Sequence, residues 1–250
     1  MIFSERLLCN NSKPKVTLTV TTNPASATCT LTYNGVQYTT KSLEVNEGST
    51  VSYSLYHATY GTQTGSVIMD SAKTLTCEGT YNTDYTDVSW SAPHDLSSNR
   101  TLGGDSFAVY ANKVQYNYNI YNPWVCFNGT TADNNVMSLS GGYMEWYNPE
   151  PIKISQIRVV SRNYPNFNLK SGNVYGSPDG SDWTLIHTFS GLTAISGQTA
   201  TITFTTTSLY KYWKIDNWTA GNGYWQASEI YLDGFTQTTS YTYYWNVTTT

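Results

Sequence analysis

Period-two alternation of apolar and polar residues, broken by tight turns, is the feature that most restricts how this chain can fold. It recurs through residues 16–80, for example in VTLTV (16–20) and VSYSL (51–55). Between two such runs, Asn34-Gly35 is a strong hairpin signal, because both central residues of the matching turn need a positive φ. Alternation of this kind is typical of half-buried strands, so it predicts a small all-β unit over residues 16–80.

The rest of the chain continues with short strand-like segments and shows no helical periodicity. In residues 173–189 the turn sequence Ser-Pro-Asp-Gly separates two such segments, since Pro fixes φ and Gly accepts a positive φ. Further strands are predicted at residues 143–147, 153–162, 199–205, 210–216 and 228–234. Short strands joined by turns predict a sandwich or barrel, so the fold class is all-β throughout.

The composition of the chain narrows the classes of partner that it can bind. Thirteen basic and seventeen acidic residues give a net charge of −4 without a basic block, whereas nucleic-acid binding needs clustered Lys and Arg. No apolar run approaches the roughly 20 residues of a membrane span, so we expect no membrane insertion. Residues 1–15 are too short and too polar for a secretory signal and are expected to form an N-terminal arm. The expected location is therefore a virus particle, with the extracellular space or the bacterial surface as the alternative.

The residues that carry most enzyme chemistry are scattered. His57, His94 and His187 show no nucleophile, phosphate-loop or metal-site motif around them, so the chain is expected not to be an enzyme. A catalytic pair of carboxylates remains an alternative, because the distance between two carboxylates is set by the three-dimensional fold and not by the sequence. Cys29 and Cys77 alternate with strand residues and are expected to be free buried thiols, with a disulfide between them as the alternative.

A first resemblance concerns the segments VTLTVTTNPASATCTLTYNG (16–35) and SLEVNEGSTVSYSLYHATYGTQTGSV (42–67). They resemble the small β-sandwich repeats grouped with the PEGA domains, in which NP..A.V.L...G and a later V..G..V.....GY....G.V recur. The resemblance implies a spacer over residues 16–80. Residues 81–100 lack sustained alternation and are expected to be a linker or a packed segment.

A second resemblance rests on five ordered blocks, WVCFNGTTADN (124–134), GGYMEWYNPEPIKISQIRVVSRN (141–163), NVYGSPDGSDWTLI (173–186), YKYWKID (210–216) and GYWQASEIYLDG (223–234). Over residues 101–235 the chain resembles the discoidin, or coagulation-factor type C, family, which includes the family 32 carbohydrate-binding modules. The resemblance implies a jelly-roll β-sandwich with Trp183 in its core. The tail at 236–250 is then a strand that closes against the first domain or pairs with another subunit.

The resemblance also implies sugar recognition by loops at one end of the sandwich. The matching positions are Arg162, Asn163 and Tyr164 in one loop, Trp218, Asn222, Tyr224 and Trp225 in a later loop, and Trp124. Arg162 is the sharpest candidate, because a guanidinium fork matches vicinal hydroxyls and carboxylates. The alternative for Arg162 is a salt bridge at the end of a strand. The alternative for Trp218 and Trp225 is packing in the core. Trp213 is expected in the core.

Family 32 modules commonly hold a structural Ca²⁺ between a loop aspartate and the glutamate of the final strand. Calcium takes six to eight oxygen ligands. The matching positions here are Asn128, Thr130, Asp133 and Glu229. Asn128 stands in place of the family's aspartate, which removes one formal charge. The alternative is a loop held by Asx-type hydrogen bonds, with Glu229 paired to a polar neighbour.

Together these features predict a non-catalytic, glycan-binding adhesion protein. The expected setting is a phage fibre, tail or capsid decoration that grips host or mucosal glycans, as a homo-oligomer that gains from avidity. One alternative is a purely structural virion protein whose discoidin-like domain contacts other virion proteins. Another is an accessory module of a secreted bacterial glycosidase.

Overall fold

The computed structural model describes residues 13–114, 122–131 and 137–250, which form two compact units. The first unit contains the described residues up to Asp84 together with Thr239–Thr250, and the second contains those of Tyr85–Thr238. Residues 1–12 of the expected N-terminal arm lie outside the described part. No helix within that part is long and apolar enough to cross a membrane.

The first unit is a small sandwich of two sheets. Its strands are β1 (Lys15–Asn23), β2 (Thr28–Tyr33), β3 (Val36–Tyr38), β4 (Ser42–Asn46), β5 (Ser49–His57), β6 (Gly61–Met69), the first part of β7 (Lys73–Ser91) and the end of the last strand, β15 (Trp225–Thr249). One sheet has the order β4-β1-β7-β15, with β1 parallel to β7, and the other has the order β3-β2-β5-β6. Alternate residues such as Leu18, Leu31 and Leu55 are fully buried between the sheets, so the predicted small β-sandwich is confirmed.

Local turn and thiol predictions also hold in this unit. Asn34 and Gly35 take positive φ values of 49° and 77° in the β2–β3 turn. Cys29 and Cys77 are buried and free, which confirms the expected thiols rather than the disulfide. Burial raises the pKa of Cys77 to about 11, so this thiol is inert at neutral pH.

The second unit is a larger sandwich. Its strands are the rest of β7, β8 (Ala108–Ala111), β9 (Met137–Leu139), β10 (Met144–Ser161), β11 (Leu169–Ser177), β12 (Thr184–Phe189), β13 (Thr199–Thr203), β14 (Tyr210–Ala220) and the first part of β15 (Trp225–Thr249). One sheet has the order β8-β10-β14-β11-β12. The other has the order β13-β10-β15, and β15 also pairs with β7 and β9.

Strand β10 takes part in both sheets because its ladder breaks in the middle. Met144–Tyr147 pair with β8 and β14, whereas Lys153–Ser161 pair with β13 and β15. The intervening NPEP sequence carries Pro149 and Pro151, which cannot donate ladder hydrogen bonds. Trp213, with 1% of its surface exposed, lies in the core between the layers, as expected. The predicted all-β jelly-roll sandwich is therefore confirmed.

The expected linker at residues 81–100 is wrong for its first half, because β7 continues to Ser91. The second half is irregular but packed. Ala92 and Leu96 are buried, and their backbone N–H groups donate to the carbonyl oxygens of Leu232 and Phe127. The second unit therefore begins well before residue 101.

The tail at 236–250 is a continuation of β15, and its end closes the first unit. Trp245 is buried there, donates its Nε1–H to the Gly61 carbonyl oxygen over 3.2 Å, and packs on Tyr60 with ring centres 5.2 Å apart. Of the two roles predicted for the tail, the structure has the first.

Candidate functional site

Three loops at one end of the second unit form what we call the loop cluster: residues 162–168 after β10, 190–198 before β13, and 221–224 between β14 and β15. The Gln226 backbone N–H, just past the third loop, donates to the Phe167 carbonyl oxygen over 2.9 Å. The sequence-predicted sugar residues of the first and third loops are thus brought to neighbouring positions.

Arg162 is held in the loop cluster by an amide rather than by a carboxylate. Its Nη1–H donates to Gln226 Oε1 over 3.0 Å, and the Gln226 amide in turn donates to Ser138 Oγ over 2.9 Å. Arg162 Cζ lies 5.3 Å from the ring centre of Tyr164. A guanidinium carries five N–H donors, and the one on Nε is buried here, so the donors left for a ligand are those on the two Nη atoms.

The aromatic rings of the loop cluster form a row. Tyr164 is 56% exposed, its ring centre lies 5.8 Å from that of Phe167, and Phe167 lies 6.4 Å from Tyr224. Asn163 and Asn222 are exposed at the same end. The cluster therefore combines an exposed ring, two exposed amide side chains and a cation, which is the mixture that sugar rings and their hydroxyls require.

Sequence reasoning missed Phe167 and Gln226. Phe167 bridges two rings that are 60 residues apart in the chain, and Gln226 reaches Arg162 because Ser161 and Ala227 are paired across β10 and β15. Only the strand register brings these side chains together. The sequence places Gln226 beside a tryptophan and gives no sign of this contact.

The tryptophans do not form the expected platform. Trp225 has 0% of its surface exposed and faces the core, so the prediction that it binds sugar is wrong. Trp218 is half-buried against Trp225, and its Nε1–H donates to the Gly142 carbonyl oxygen over 2.8 Å. Trp124 lies in a short 3₁₀ helix (Pro123–Phe127) and packs half-buried against the same core.

The predicted hairpin at 173–189 is confirmed as β11 and β12, but Trp183 is not a core residue. Asp179 Oδ1 accepts the backbone N–H groups of Ser181 and Asp182 over 2.9 and 3.1 Å, which lowers the pKa of this carboxyl. Trp183, just beyond the turn, is half-buried with its ring centre 4.2 Å from Lys214 Nζ. It covers a strand lysine instead of filling the sandwich.

A polar groove of about 670 Å³ adjoins the loop cluster and shares Asn163 and Gly197 with it. It runs over the outer face of β10 and β15, past Arg158 and Tyr231. Arg158 Cζ lies 4.6 Å from the Tyr231 ring centre, and its Nη2–H donates to Asp233 Oδ2 over 2.8 Å. The groove thus extends the surface over which a ligand with several hydroxyl groups can lie.

Two of the four expected calcium ligands, Asn128 and Glu229, are engaged with the protein itself. Asn128 Oδ1 accepts the Thr130 backbone N–H over 3.0 Å, which is an Asx turn. Glu229 is fully buried, and its Oε1 lies 2.5 Å from His94 Nδ1. Asp133 lies outside the described residues. The described donors do not fit calcium, and they match the alternative of Asx bonding with a paired glutamate.

Both members of the Glu229–His94 pair have shifted pKa values. Burial raises the pKa of Glu229 to about 8, against a smaller lowering by the backbone N–H groups of Gly129 and Thr130. Burial also lowers the pKa of His94. Both directions favour the neutral forms of the two side chains.

Raised carboxyl pKa values often mark catalytic acids, and two of them occur here. Burial raises the pKa of Glu145 to about 7, as it raises that of Glu229 to about 8. Glu145 is 6% exposed and Glu229 is 0% exposed. Both carboxyl groups are buried, and burial is the main cause of both shifts.

Comparison with known proteins gives likenesses in structure only. No family model matches the chain, and no curated protein is similar to it. Among solved structures, the chain is similar to CpGH89CBM32-5 from Clostridium perfringens in complex with GalNAc-β-1,3-galactose, with 14% identity, a TM-score of 0.42, and coverage of 50% of this chain and 94% of that one.

Two further carbohydrate-binding modules give similar values. The family 32 module of C. perfringens NanJ, in complex with galactose, has 13% identity and a TM-score of 0.42 over 51% of this chain and 93% of that one. The family 32 module of AlyQ, in complex with 4,5-unsaturated mannuronic acid, has 16% identity and a TM-score of 0.41 over 50% and 92%. At this level the likenesses carry no functional argument, so function has to be argued from the side chains.

Proposed function

We propose that the chain is a non-catalytic carbohydrate-binding protein and that the loop cluster of its second unit holds the glycan. The observation that carries this proposal is the placement of Arg162 beside the exposed ring of Tyr164, with Gln226 fixing the guanidinium from behind. A sugar needs a ring face against its CH groups and fixed donors for its hydroxyl oxygens.

The two parts of this arrangement are complementary. Tyr164 is the exposed end of the row that continues through Phe167 and Tyr224, so its ring is supported at one edge while its surface stays open to solvent. Arg162 supplies donors in a planar fork, which suits a pair of neighbouring hydroxyls or a carboxylate. The adjoining polar groove supports binding of more than a single sugar residue.

A glycan array probed with the full chain tests the proposal, followed by titration calorimetry with the glycans that bind. Galactose, N-acetylgalactosamine and a uronic acid are suitable first probes. We expect Arg162→Ala to weaken binding about ten- to a hundredfold, because a charge-assisted hydrogen bond contributes about 1.5–3 kcal/mol. Arg162→Lys keeps the charge without the fork and is expected to recover only part of the affinity.

Arg100→Ala is the matched control, since Arg100 is an exposed arginine of the same unit outside the loop cluster. It should bind as the wild type does. Circular dichroism of each variant verifies the fold. Absence of glycan binding by the wild-type chain, or equal affinity of Arg162→Ala and wild type, would contradict the proposal.

We also propose, from the sequence alone, that this binding serves attachment of a virus particle to host or mucosal glycans. The neutral surface rich in Thr, Tyr and Asn suits such a role, and assembly into a homo-oligomer would multiply weak sugar affinities. The alternatives, a structural virion protein and an accessory module of a glycosidase, differ from it in one respect each. The first predicts no glycan binding, and the second predicts a catalytic domain joined to this chain.

A further inference from the structure

Glu229 and His94 form a buried contact that links two distant parts of the second unit. Glu229 lies in β15 with its side chain fully buried, and His94, 135 residues earlier, has a side chain that is 25% exposed. Their Nδ1 and Oε1 atoms are 2.5 Å apart. A buried carboxyl group is costly unless it is paired, so this contact stabilises the arrangement around it.

The imidazole is held in place from several sides. The main chain around it is fixed by the hydrogen bonds from Ala92 to Leu232 and from Leu96 to Phe127, of 3.0 and 2.9 Å. The ring of His94 itself stacks on Phe127, with centres 6.1 Å apart, and contacts Tyr231 at 4.5 Å. The position of the histidine is therefore built into the fold.

The space around the carboxyl group is closed by protein. A Cβ added at Gly129 would lie 2.8 Å from the His94 carbonyl oxygen, so the Asn128–Thr130 loop packs directly on the histidine backbone. Asn128 Oδ1 is already used within the loop.

Among the described side chains at this place, one carboxyl oxygen is left over. Glu229 Oε2 is buried without a hydrogen-bond partner among the described residues, and it would supply one of the six to eight oxygens that calcium takes. In the described part of the chain, no three His, Cys, Asp or Glu side chains come together as a metal site.

We propose that His94 takes the place of calcium in this unit. The imidazole ties the segment before β8 and the Asn128–Thr130 loop to Glu229 in β15, and the sandwich is held together without a metal ion. Glu229 keeps its position in the final strand, and its partner is a side chain instead of a cation.

Thermal unfolding of the full chain in EDTA and in excess CaCl₂ tests the proposal. An ion that binds only the folded state raises the midpoint temperature of unfolding. We expect equal midpoints in the two buffers, and no heat of binding when CaCl₂ is titrated into the EDTA-treated and desalted protein. A midpoint raised by CaCl₂ would overturn the proposal.

Two variants separate the histidine contact from a metal. Glu229→Gln keeps an oxygen that accepts the His94 N–H, so it should unfold near the wild-type midpoint in both buffers. His94→Ala leaves Glu229 buried without this partner and should lower the midpoint by several degrees in both. His187→Ala, at a half-buried histidine stacked on Phe204, controls for loss of an imidazole.

If calcium were the partner, Glu229→Gln would lose a stabilisation that wild type shows only in CaCl₂, and His94→Ala would behave as wild type. Either result contradicts the proposal. Should His94→Ala fail to fold, the wild-type comparison and Glu229→Gln still decide between histidine and calcium.

Discussion

At the scale of single residues, Glu145 shows how burial alone sets a chemical property. It lies in β10 opposite Lys214 of β14 and Tyr110 of β8, and it is 6% exposed. Burial raises its pKa from an ordinary value of 4.5 to about 7, and Lys214 lowers it by a smaller amount. The group therefore titrates near neutral pH.

The first prediction concerns the pH dependence of stability. Because the folded pKa of Glu145 lies above its unfolded value, the folded chain binds the proton more tightly. This stabilisation is complete below about pH 4.5 and is lost as the pH rises through about 7. Glu145→Gln should remove it, so the free-energy gap between wild type and variant should change by up to about 3 kcal/mol, at about 1.4 kcal/mol per pKa unit.

Urea unfolding of both proteins at about pH 5 and about pH 8 measures this gap. The free energy of unfolding of the variant, relative to that of wild type, should increase as the pH rises. Glu150→Gln, at an exposed carboxyl in the same strand, should show no such change. Parallel stability curves for wild type and Glu145→Gln would contradict the prediction.

Residue roles were predictable where one strand pattern decided them. Trp213 stands inside the strand-like segment 210–216, it was expected in the core, and the structure agrees. The predictions for Trp225 and Trp183 were wrong, because both residues stand at strand ends, where alternation no longer determines which way a side chain faces. The contact between Arg162 and Gln226 depends on the pairing of two strands 64 positions apart, which no local pattern contains.

At the scale of elements, β7 shows why some strands escape sequence reasoning. Its residues beyond Gly79 are mostly exposed on both faces, so no apolar side alternates with a polar one. What identifies this part as a strand is its hydrogen-bonded pairing with β15 in the sheet. The buried strands of the same units were predicted because a core side gave them a pattern.

The second prediction concerns the approach of two loops in the loop cluster. A Cβ added at Gly221 would lie 2.5 Å from the Asn166 carbonyl oxygen, and because that atom is backbone, the loops would have to separate. Gly221→Ala should lower stability by about 1–3 kcal/mol and weaken glycan binding, since it displaces the loop beside Arg162.

Gly223→Ala is the matched control in the same loop. Gly223 has a φ of +74° with nothing within 4 Å of an added Cβ, so this variant introduces backbone strain without a clash. Urea unfolding and titration with an array-identified glycan compare the two. Equal behaviour of the two variants would show that the close contact does not matter.

At the scale of the whole molecule, the two units differ in how the chain builds them. The second unit is one continuous stretch, whereas the first needs both the residues before Asp84 and the segment Thr239–Thr250. The fold class was predictable because alternation and turns recur along the chain. The boundaries of the units were not predictable, because a boundary depends on the unit in which a side chain packs. Trp245 packs in the core that the first strands form, although it lies 161 residues after Asp84 in the chain.

The final prediction follows from where the second unit begins. A fragment of residues 85–238 should fold by itself, whereas one of residues 101–238 should not. The shorter fragment loses buried Ala92 and Leu96, and it loses His94, the partner of Glu229. Loss of a buried leucine alone costs about 2–5 kcal/mol, against a net stability of about 5–15 kcal/mol for a typical domain.

Near-ultraviolet circular dichroism and the urea midpoint of each fragment measure the difference, because a packed aromatic core gives a strong near-ultraviolet signal. Fragment 92–238 separates the causes, since it omits the end of β7 but keeps Ala92, His94 and Leu96. If it folds as fragment 85–238 does, the packed segment after β7 holds the sandwich closed. If the shortest fragment proves equally stable, that segment is only a tether, and the contact between His94 and Glu229 contributes nothing to the fold.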